Sequence, residues 1–541
     1  MAQRGTSARL GTPRRLAAPQ LSPSLRLICN PVAPAGRLLH VRELAGAPGR
    51  LREFRYAPSG ESVRDMMRER RVVVIVVSMA ALLGTVMPAA ASGAVPASRA
   101  GAWGKATKVP GLAALGKGAA AEVDSVACGS PGNCAAGGDY KVRHHGWQAL
   151  VIGERHGHWG KAIPVPGLAA LNAGGGAGVE QVACDPAGDC LAGGSYAYDE
   201  SGSRFSSFLV AESGGRWRKV DDLAGDGDVN AISCSPAGNC VAGGHGTDGI
   251  GFYAFVGDAY VVEDRAGRLG PVTFLPGLRK LEHFVDPEIV GSWVDSVACP
   301  TAGNCAAVGA YLDKSQKRHG FVAVERNGSW AKATEVPGLG KRAEVYSVSC
   351  STADSCVAGG TVAGQAFVTV EQNGTWGTAI PVPGLAALNN DGPAFVDSVT
   401  CESAGNCAIA GSYRDSHRHW QAFAVSQDNG TWGKAIPLPG VAALNKGGDA
   451  VVDDLSCPSA GNCAAAGDYS DRFRHLQGFV IIERNGTWER AIRVPGLSAL
   501  NKGRDAGFTS VSCPSPGHCT AGGYYSDRPD HFQGFVVTQT H

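Results

Sequence analysis

A cysteine pair with five residues between its members recurs eight times along this chain, at 128/134, 184/190, 234/240, 299/305, 350/356, 401/407, 457/463 and 513/519. A mark repeated at near-regular intervals means an array of like units, each too small to bury its own apolar face alone. The length of 541 residues would otherwise suggest several domains; the repeat replaces that expectation with one closed or stacked assembly.

Aligned on the cysteines, one unit reads Val452-Asp453-Asp454-Leu455-Ser456-Cys457, then Asn462 to Tyr469, then Gln477 to Glu483, then Thr487 to Pro495. These four segments, a to d, are strand-length and rich in apolar, β-branched and aromatic residues. Pro-Ser-Ala-Gly, Asn485-Gly486 and Pro495-Gly496 punctuate them as turns. Four short strands per unit, without long helices between units, predict an all-β fold: an eight-bladed β-propeller of four-stranded antiparallel blades. A right-handed β-solenoid is the competing architecture, but its rungs are shorter and need no Asn-Gly hairpin turns.

The ends of the array agree with closure. A lone d-like segment, Trp103 to Pro110, precedes the first cysteine pair, and the chain stops after a c-like segment, Gln533 to Val537. Supplying the missing outer strand of the eighth blade from the N-terminus would remove an exposed sheet edge. The Ser-Val-Ser-Cys and Cys-Ala-Ala-Gly-Gly segments, with a c–d turn ending in Gly-Thr-Trp, are similar over residues 103–541 to bacterial secreted propeller repeats of the sialidase-repeat and photosystem-assembly-factor type. That family's turn carries an Asp and one more residue before Thr-Trp. Asn485-Gly486-Thr487-Trp488 and the turns at 327, 373 and 429 are tighter and lack it. The resemblance implies a propeller and assigns no catalytic residue.

Residues 1–65 share nothing with the repeat and read as a leader from a misplaced start, with Met67 the true start. From Arg68-Glu69-Arg70-Arg71 through the apolar run 72–86 to Ala89-Ala90-Ala91, the chain has the three regions of a secretory signal peptide, placed at 66–91. A retained membrane anchor is the alternative. A short linker, 92–102, then leads to the propeller at 103–541. Residues 1–91 hold 14 of the 49 basic and 5 of the 48 acidic residues, leaving 35 and 43, a net charge of −8. A mildly acidic chain without a basic cluster is unsuited to nucleic acid, whose affinity rests on phosphate neutralisation. The expected location is extracellular, secreted or at the cell surface, as a monomer with no membrane contact beyond the signal segment.

Export favours disulfides within the pairs Cys128/Cys134, Cys184/Cys190, Cys234/Cys240, Cys299/Cys305, Cys350/Cys356, Cys401/Cys407, Cys457/Cys463 and Cys513/Cys519, each stapling an a–b turn. A ring this small contributes about 2 kcal/mol on the chain-entropy model. Zinc is the competing use of paired cysteines, although a spacing of five does not suit it. Asn-Gly-Thr/Ser also matches the glycosylation sequon, but the same residues are the strongest two-residue hairpin signal. The following Trp330, Trp376, Trp432 and Trp488 read as packing between blades.

The a–b and c–d turns fall on one face of such a disc, and the longer b–c and d–a loops on the other, where function concentrates. Before five of the pairs the d–a loop reads as a variant of Pro-Gly-Leu-Ala-Ala-Leu-Asn, marking units 6, 7, 8, 1 and 2. The b–c loops of this sector supply the candidate ligand-binding residues: Tyr413, Asp415, His417, His419 and Trp420; Tyr469, Asp471 and His475; Tyr524, Asp527, His531 and Phe532; Tyr140, His144, His145 and Trp147. Aromatic faces beside carboxylates and imidazoles suit sugar rings; the plain alternative is that Tyr and Asp brace the loops and His is solvated.

Acids also recur before strand a, at Asp124, Glu180, Asp295, Asp397 and Asp453. If strand a lines the channel they ring its mouth, where calcium could bridge them; otherwise they cap loop amides, and no cofactor is required. Residues 245–295, with Gly251-Phe252-Tyr253-Ala254-Phe255 and Arg279 to Phe284, break the pattern and mark either a private site or drift.

The expected function is non-catalytic binding or scaffolding of a polysaccharide, cell-envelope component or protein through the long-loop face. A glycoside hydrolase or lyase is one alternative and a purely structural surface protein another. The disulfide assignment and the signal peptide are checked together by mass spectrometry: alkylation should leave the native secreted chain unmodified and add sixteen groups after reduction, and its N-terminus should lie near Ser92.

Overall fold

The structure, a computed structural model, describes residues 101–246, 257–265, 267–282, 291–390 and 392–540, together with a separate antiparallel strand pair, Leu39–His40 with Glu53–Phe54. The signal segment 66–91, Cys29, Gly251 to Phe255 and residues 283–290 lie outside the described residues.

Eight antiparallel blades, one per cysteine pair, form an eight-bladed β-propeller, with blades 2 and 3 joined through a shared strand into one eight-stranded sheet. In blade 1, strand a (Ala121–Ser130) pairs with b (Asn133–Val142), b with c (Gly146–Arg155), and c with the short d strands His158–Trp159 and Ile163–Pro164. The a strands that open the later blades are Ala177–Cys184, the second half of Asp221–Cys234, Ser292–Thr301, Ala343–Thr352, Ala394–Ser403, Ala450–Ser459 and Ala506–Ser515. Each a strand packs against the a strands of both neighbouring blades, the eighth against the first, so the a strands are innermost and the ring is closed. The N-terminal strands Ala102–Trp103 and Thr107–Lys108 pair with the last strand, His531–Thr540, and complete blade 8 as the sequence predicts.

Small residues on strand b let the blades approach. A Cβ at Gly137 would stand 2.2 Å from Cγ1 of Val179 in the next blade, and one at Gly359 would stand 2.5 Å from Cγ1 of Val396. Larger side chains there would wedge the sheets apart, which explains the recurrent Ala-Gly-Gly. Strand c fills the space farther out with the fully buried Phe208, Phe321, Phe367, Phe423, Phe479 and Phe535. Serines of strand a then stitch neighbours together. The backbone N–H of Cys128 donates to Ser512 Oγ at 3.0 Å, that of Cys401 to Ser349 Oγ at 2.9 Å and that of Cys513 to Ser456 Oγ at 3.0 Å.

All eight predicted disulfides form: Cys128–Cys134, Cys184–Cys190, Cys234–Cys240, Cys299–Cys305, Cys350–Cys356, Cys401–Cys407, Cys457–Cys463 and Cys513–Cys519. Each bridges the a–b hairpin of its own blade. Each pair staples its a–b turn as the sequence predicts, and the second cysteine of each pair also belongs to the core. Cys134, Cys190, Cys240, Cys305, Cys356, Cys407, Cys463 and Cys519 are all buried. They start strand b, which the strands of the adjoining blades cover, so the sulfurs take part in inter-blade packing. Cys407 clusters with Val357 and Val368 of blade 5, Cys190 with Ala135 and Val151 of blade 1, Cys356 with Val308 and Val322 of blade 4, and Cys519 with Ala464 and Val480 of blade 7.

The Asn-Gly turns have two consecutive positive φ angles, for example 48° at Asn485 and 77° at Gly486, as a type I′ turn requires. Within a blade this turn docks on the a–b turn: the Gly486 N–H donates to the Gly461 carbonyl at 2.9 Å. The disulfide face is therefore a layer of turns seated on turns. On the outer rim, Pro164, Pro381 and Pro437 sit in the edge strands and blunt their pairing capacity.

The connection from blade 2 to blade 3 departs from the repeat. Strand Asp221–Cys234 first pairs with strand c of blade 2, Asp222 opposite Phe208, and then serves as strand a of blade 3, Cys234 opposite Cys240. Its sequence lacks Pro-Gly-Leu-Ala-Ala-Leu, so there is no loop to turn out. Elsewhere that segment makes a single helical turn after a left-handed glycine, as at Leu112–Leu115, Val441–Leu444 and Leu497–Leu500, with its first apolar residue buried.

A buried acid or amide on strand c lies opposite the strand-d tryptophan in seven blades: Glu154/Trp159, Glu212/Trp217, Glu325/Trp330, Glu371/Trp376, Gln427/Trp432, Glu483/Trp488 and Gln539/Trp103. Some receive a partner from the preceding blade, Arg155 for Glu212 and Arg326 for Glu371. Burial pushes Glu154 up to about 6; burial together with the neighbouring Glu263 carboxylate pushes Glu325 up to about 7. Between the ordinary value of 4.5 and these raised values the folded chain holds protons that the unfolded chain has released. Stability from these groups is thus complete below the ordinary value and is lost as pH rises through the raised ones. Thermal unfolding should occur at higher temperature at pH ~5 than at pH ~8. Glu325→Gln should flatten that decline and raise the midpoint at the higher pH by about 2 °C; an unchanged profile would reject the assignment.

Candidate functional site

Every a strand carries a bulge at the same place, where the register slips across residues 124, 180, 230, 295, 346, 397, 453 and 509. A bulge leaves one residue without a cross-strand partner and re-aims its side chain. The five recurrent acids occupy five of these positions, with Asn230, Tyr346 and Thr509 in the other three. Because the a strands are innermost and the bulge lies upstream of the disulfide, the acids face the channel toward its long-loop end.

Their charges act on one another across blades. Glu180 feels Asp228 and Asp124; Asp295 feels Glu344 and Asp228; Tyr346 feels Glu344, Asp295 and Asp397. Carboxyl groups of blades 1 to 6 are therefore coupled in succession, each to those of the neighbouring blades. Burial, then Asp228, raises Glu180 to about 8, although the Ser195 hydroxyl donates to its Oε1 at 2.8 Å. Burial and Glu344 hold Asp295 well above the usual carboxylate range, even though Trp293 Nε1 donates to its Oδ2 at 3.1 Å. The Ser195 arrangement recurs in blade 6, where Ser412 Oγ donates to Asp397 Oδ2 at 2.8 Å.

Two basic side chains enter this acidic space. His245 lies directly opposite Asp228, with Nδ1 2.7 Å from Oδ1. Burial opposes its charge, but Asp228 and then Glu180 outweigh burial and raise its pKa. In blade 5, Glu344 is held above the usual range by burial, while Arg318 Nη1 at 2.7 Å opposes that rise. The same guanidinium lies 5.7 Å from the centre of the Trp293 ring. Sequence reasoning missed Asp228, His245, Arg318 and Glu344. Strand periodicity could have found part of the set, because Glu122, Asp228 and Glu344 each lie two residues before a bulge.

The calcium reading of the recurrent acids finds no support in their spacing: among the described residues the one trio of metal-ligand type within mutual reach is Glu402 with Cys457 and Cys463. Both sulfurs there belong to a disulfide and offer no thiolate. The other cysteines stand outside the site for the same reason and for their place: Cys134, Cys190, Cys356, Cys407 and Cys519 are oxidised, buried and at the end of strand b remote from the b–c loops.

The b–c loop candidates divide into braces and exposed groups. Tyr140, Tyr413 and Tyr469 are buried and lie opposite Gln148, Gln421 and Gln477. The corresponding residue in blade 8 is Tyr525, opposite Gln533, which corrects the choice of Tyr524. Tyr524 stands one position earlier, its ring edge-on to Phe532 at 5.3 Å. Asp415 Oδ1 accepts the N–H groups of His417 and His419 at 2.9 Å, and Asp471 does the same for Phe473 and His475. His531 contacts Asp527 Oδ1 at 2.7 Å and the Gly118 carbonyl at 2.8 Å, spanning blades 8 and 1. His144, His145, His417 and His419 are exposed, while Trp147 and Trp420 are half-buried. Trp420 contacts Phe395, with ring centres 5.5 Å apart, and so joins the channel mouth.

No family model and no curated protein matches the chain. Among solved structures, an ulvan lyase of a polysaccharide lyase family is 12% identical, covers 78% of this chain and 95% of its own, and has a TM-score of 0.41. YCF48 from Cyanidioschyzon merolae is 10% identical, with coverage of 81% and 99% and a TM-score of 0.36. A Hadza microbial sialidase is 11% identical, with coverage of 59% and 68% and a TM-score of 0.34. Sialidase and YCF48 propellers thus stand among the structures this chain resembles, and what they share with it is the propeller fold.

Proposed function

We propose that the protein is an extracellular, non-catalytic binding protein that takes a polysaccharide or other hydroxyl-rich envelope component at the long-loop end of its channel. The observation that carries this reading is the succession of electrostatically coupled carboxyl groups on six neighbouring blades, Asp124, Glu180, Asp228, Asp295, Glu344 and Asp397. Carboxyl groups, ionised or protonated, exchange hydrogen bonds with hydroxyls, and their fixed strands keep the cost of ordering the site low. The eight disulfides support an oxidising location. Among the described residues, no helix is long and apolar enough to cross a membrane.

One observation favours an extracellular glycoside hydrolase or lyase as the second reading. Glu180, raised to about 8, keeps its proton at neutral pH beside the Asp228–His245 pair. A protonated acid beside a hydrogen-bonded carboxyl–imidazole pair is an arrangement suited to acid–base chemistry. The purified protein should bind a polysaccharide in a glycan screen without releasing product, with calcium or chelator added in parallel arms. Asp228→Asn should lower the Glu180 pKa, read as a shift of its carboxyl band in difference infrared titration, and should weaken binding roughly tenfold. Product release abolished by Glu180→Gln would replace the first reading with the second.

A further inference from the structure

We propose that Tyr346, Phe395 and Trp420 form a stacking track for an oligosaccharide of basic amino sugars, leading from the acidic channel mouth along blades 5 and 6 to the b–c loop of blade 6. The inference rests on the binding reading above and names the ligand class for that site.

The three rings are consecutive in space though distant in sequence. Tyr346 and Phe395 have centres 6.4 Å apart with planes inclined at 51°, and Phe395 and Trp420 5.5 Å apart at 32°. These steps are comparable with the length of a pyranose unit, whose C–H face stacks on aromatic rings. All three side chains are half-buried rather than sealed in the core.

Two of the rings depart from the repeat, while Trp420 holds the register of Trp147 in blade 1 and Phe532 in blade 8. Tyr346 occupies the bulge position that five other blades give to an acid. Phe395 stands two residues before its bulge, where blades 1, 3 and 5 have Glu122, Asp228 and Glu344. The inter-blade core does not require these rings, since Phe367 and Phe423 already fill it and are fully buried.

Their supports are rigid. Phe395 is set in strand a between the fully buried Ala394 and Val396. The Trp420 N–H donates to the Gly448 carbonyl at 2.9 Å and its carbonyl accepts from Asn445 Nδ2 at 3.0 Å, so the d–a loop clamps both sides of that residue. The Tyr346 hydroxyl donates to Glu344 Oε2 at 3.3 Å. Such preorganisation limits the entropy lost on binding.

Charge selects the sugar. Asp397 follows Phe395 by two residues, accepts from Ser412 Oγ at 2.8 Å and is felt by Tyr346. Glu344 is paired with Arg318 at 2.7 Å, which leaves Asp397 as the acid beside the track. An ammonium-bearing chain complements it, whereas uronate or sulfated chains meet like charge.

Isothermal titration of the purified protein with glucosamine, N-acetylglucosamine and uronate oligomers tests the proposal. Glucosamine oligomers should bind tightest. Phe395→Ala and Trp420→Ala should each weaken them roughly tenfold, while Phe473→Ala, at an exposed aromatic of blade 7, should change nothing. Trp420→Leu keeps bulk without the aromatic face and should weaken binding as the alanine variant does, with wild-type unfolding temperature confirming the fold. Glycan binding that survives both alanine substitutions overturns the track but leaves the broader reading standing. Uronate binding as tight as glucosamine binding overturns the ligand class. Absence of glycan binding altogether overturns both.

Discussion

The structure depends on how closely one sheet can lie against the next. Val179 of blade 2 and Val396 of blade 6 press into the space above Gly137 and Gly359, where no side chain could stand. That contact, repeated around the ring, sets the distance at which a serine on one a strand reaches an amide on the next. Ring closure through Trp103 and Thr107 then covers the edge that the last strand, His531–Thr540, would otherwise present. The disulfides are secondary to this. Each lies within one blade, so it stiffens a hairpin and joins no blade to another by a covalent bond.

From the same close approach comes the site. Sheets packed this tightly present their innermost strands to a narrow common space, and a bulge at one fixed position turns one residue per blade into it. Repetition supplies the geometry, and departure from repetition supplies the chemistry. Blades 3 to 5, least regular in sequence, contribute His245, Arg318, Glu344 and Tyr346, which have no equivalents in the well-matched blades 6 to 8.

The cysteine spacing, the Asn-Gly turns and the unpaired d-like segment at the start were enough to number the blades and predict their closure. The recurrent acids were legible too, because a residue type repeated at one register draws notice. Much else was hidden. Spacing alone paired Cys134, Cys190, Cys356, Cys407 and Cys519 with their partners, but their burial comes from the adjoining blade. The Glu-to-Trp pairing on strands c and d recurs as Glu-x4-Trp, yet its burial likewise follows from the neighbour and not from local pattern. Tyr524 and Tyr525 are adjacent, and a one-residue choice in a strand moves a side chain to the other face; only the pairing with Gln533 settles it. The loop aspartates were read as ligand groups, and the structure shows what they do locally, which is to accept the amides of their own turns.

By itself, the sequence determined the unit, the number of units, the staple in each and the way the ends meet, because all of these are set by short-range turn chemistry and by counting. The tertiary structure alone decided which side chains share a space. Asp228 and Glu180 are 48 residues apart, and Tyr346, Phe395 and Trp420 span 74; none of these separations follows the repeat. Their meeting is a property of the ring, in which equal registers on successive blades converge on one axis, and a chain read from end to end has no axis.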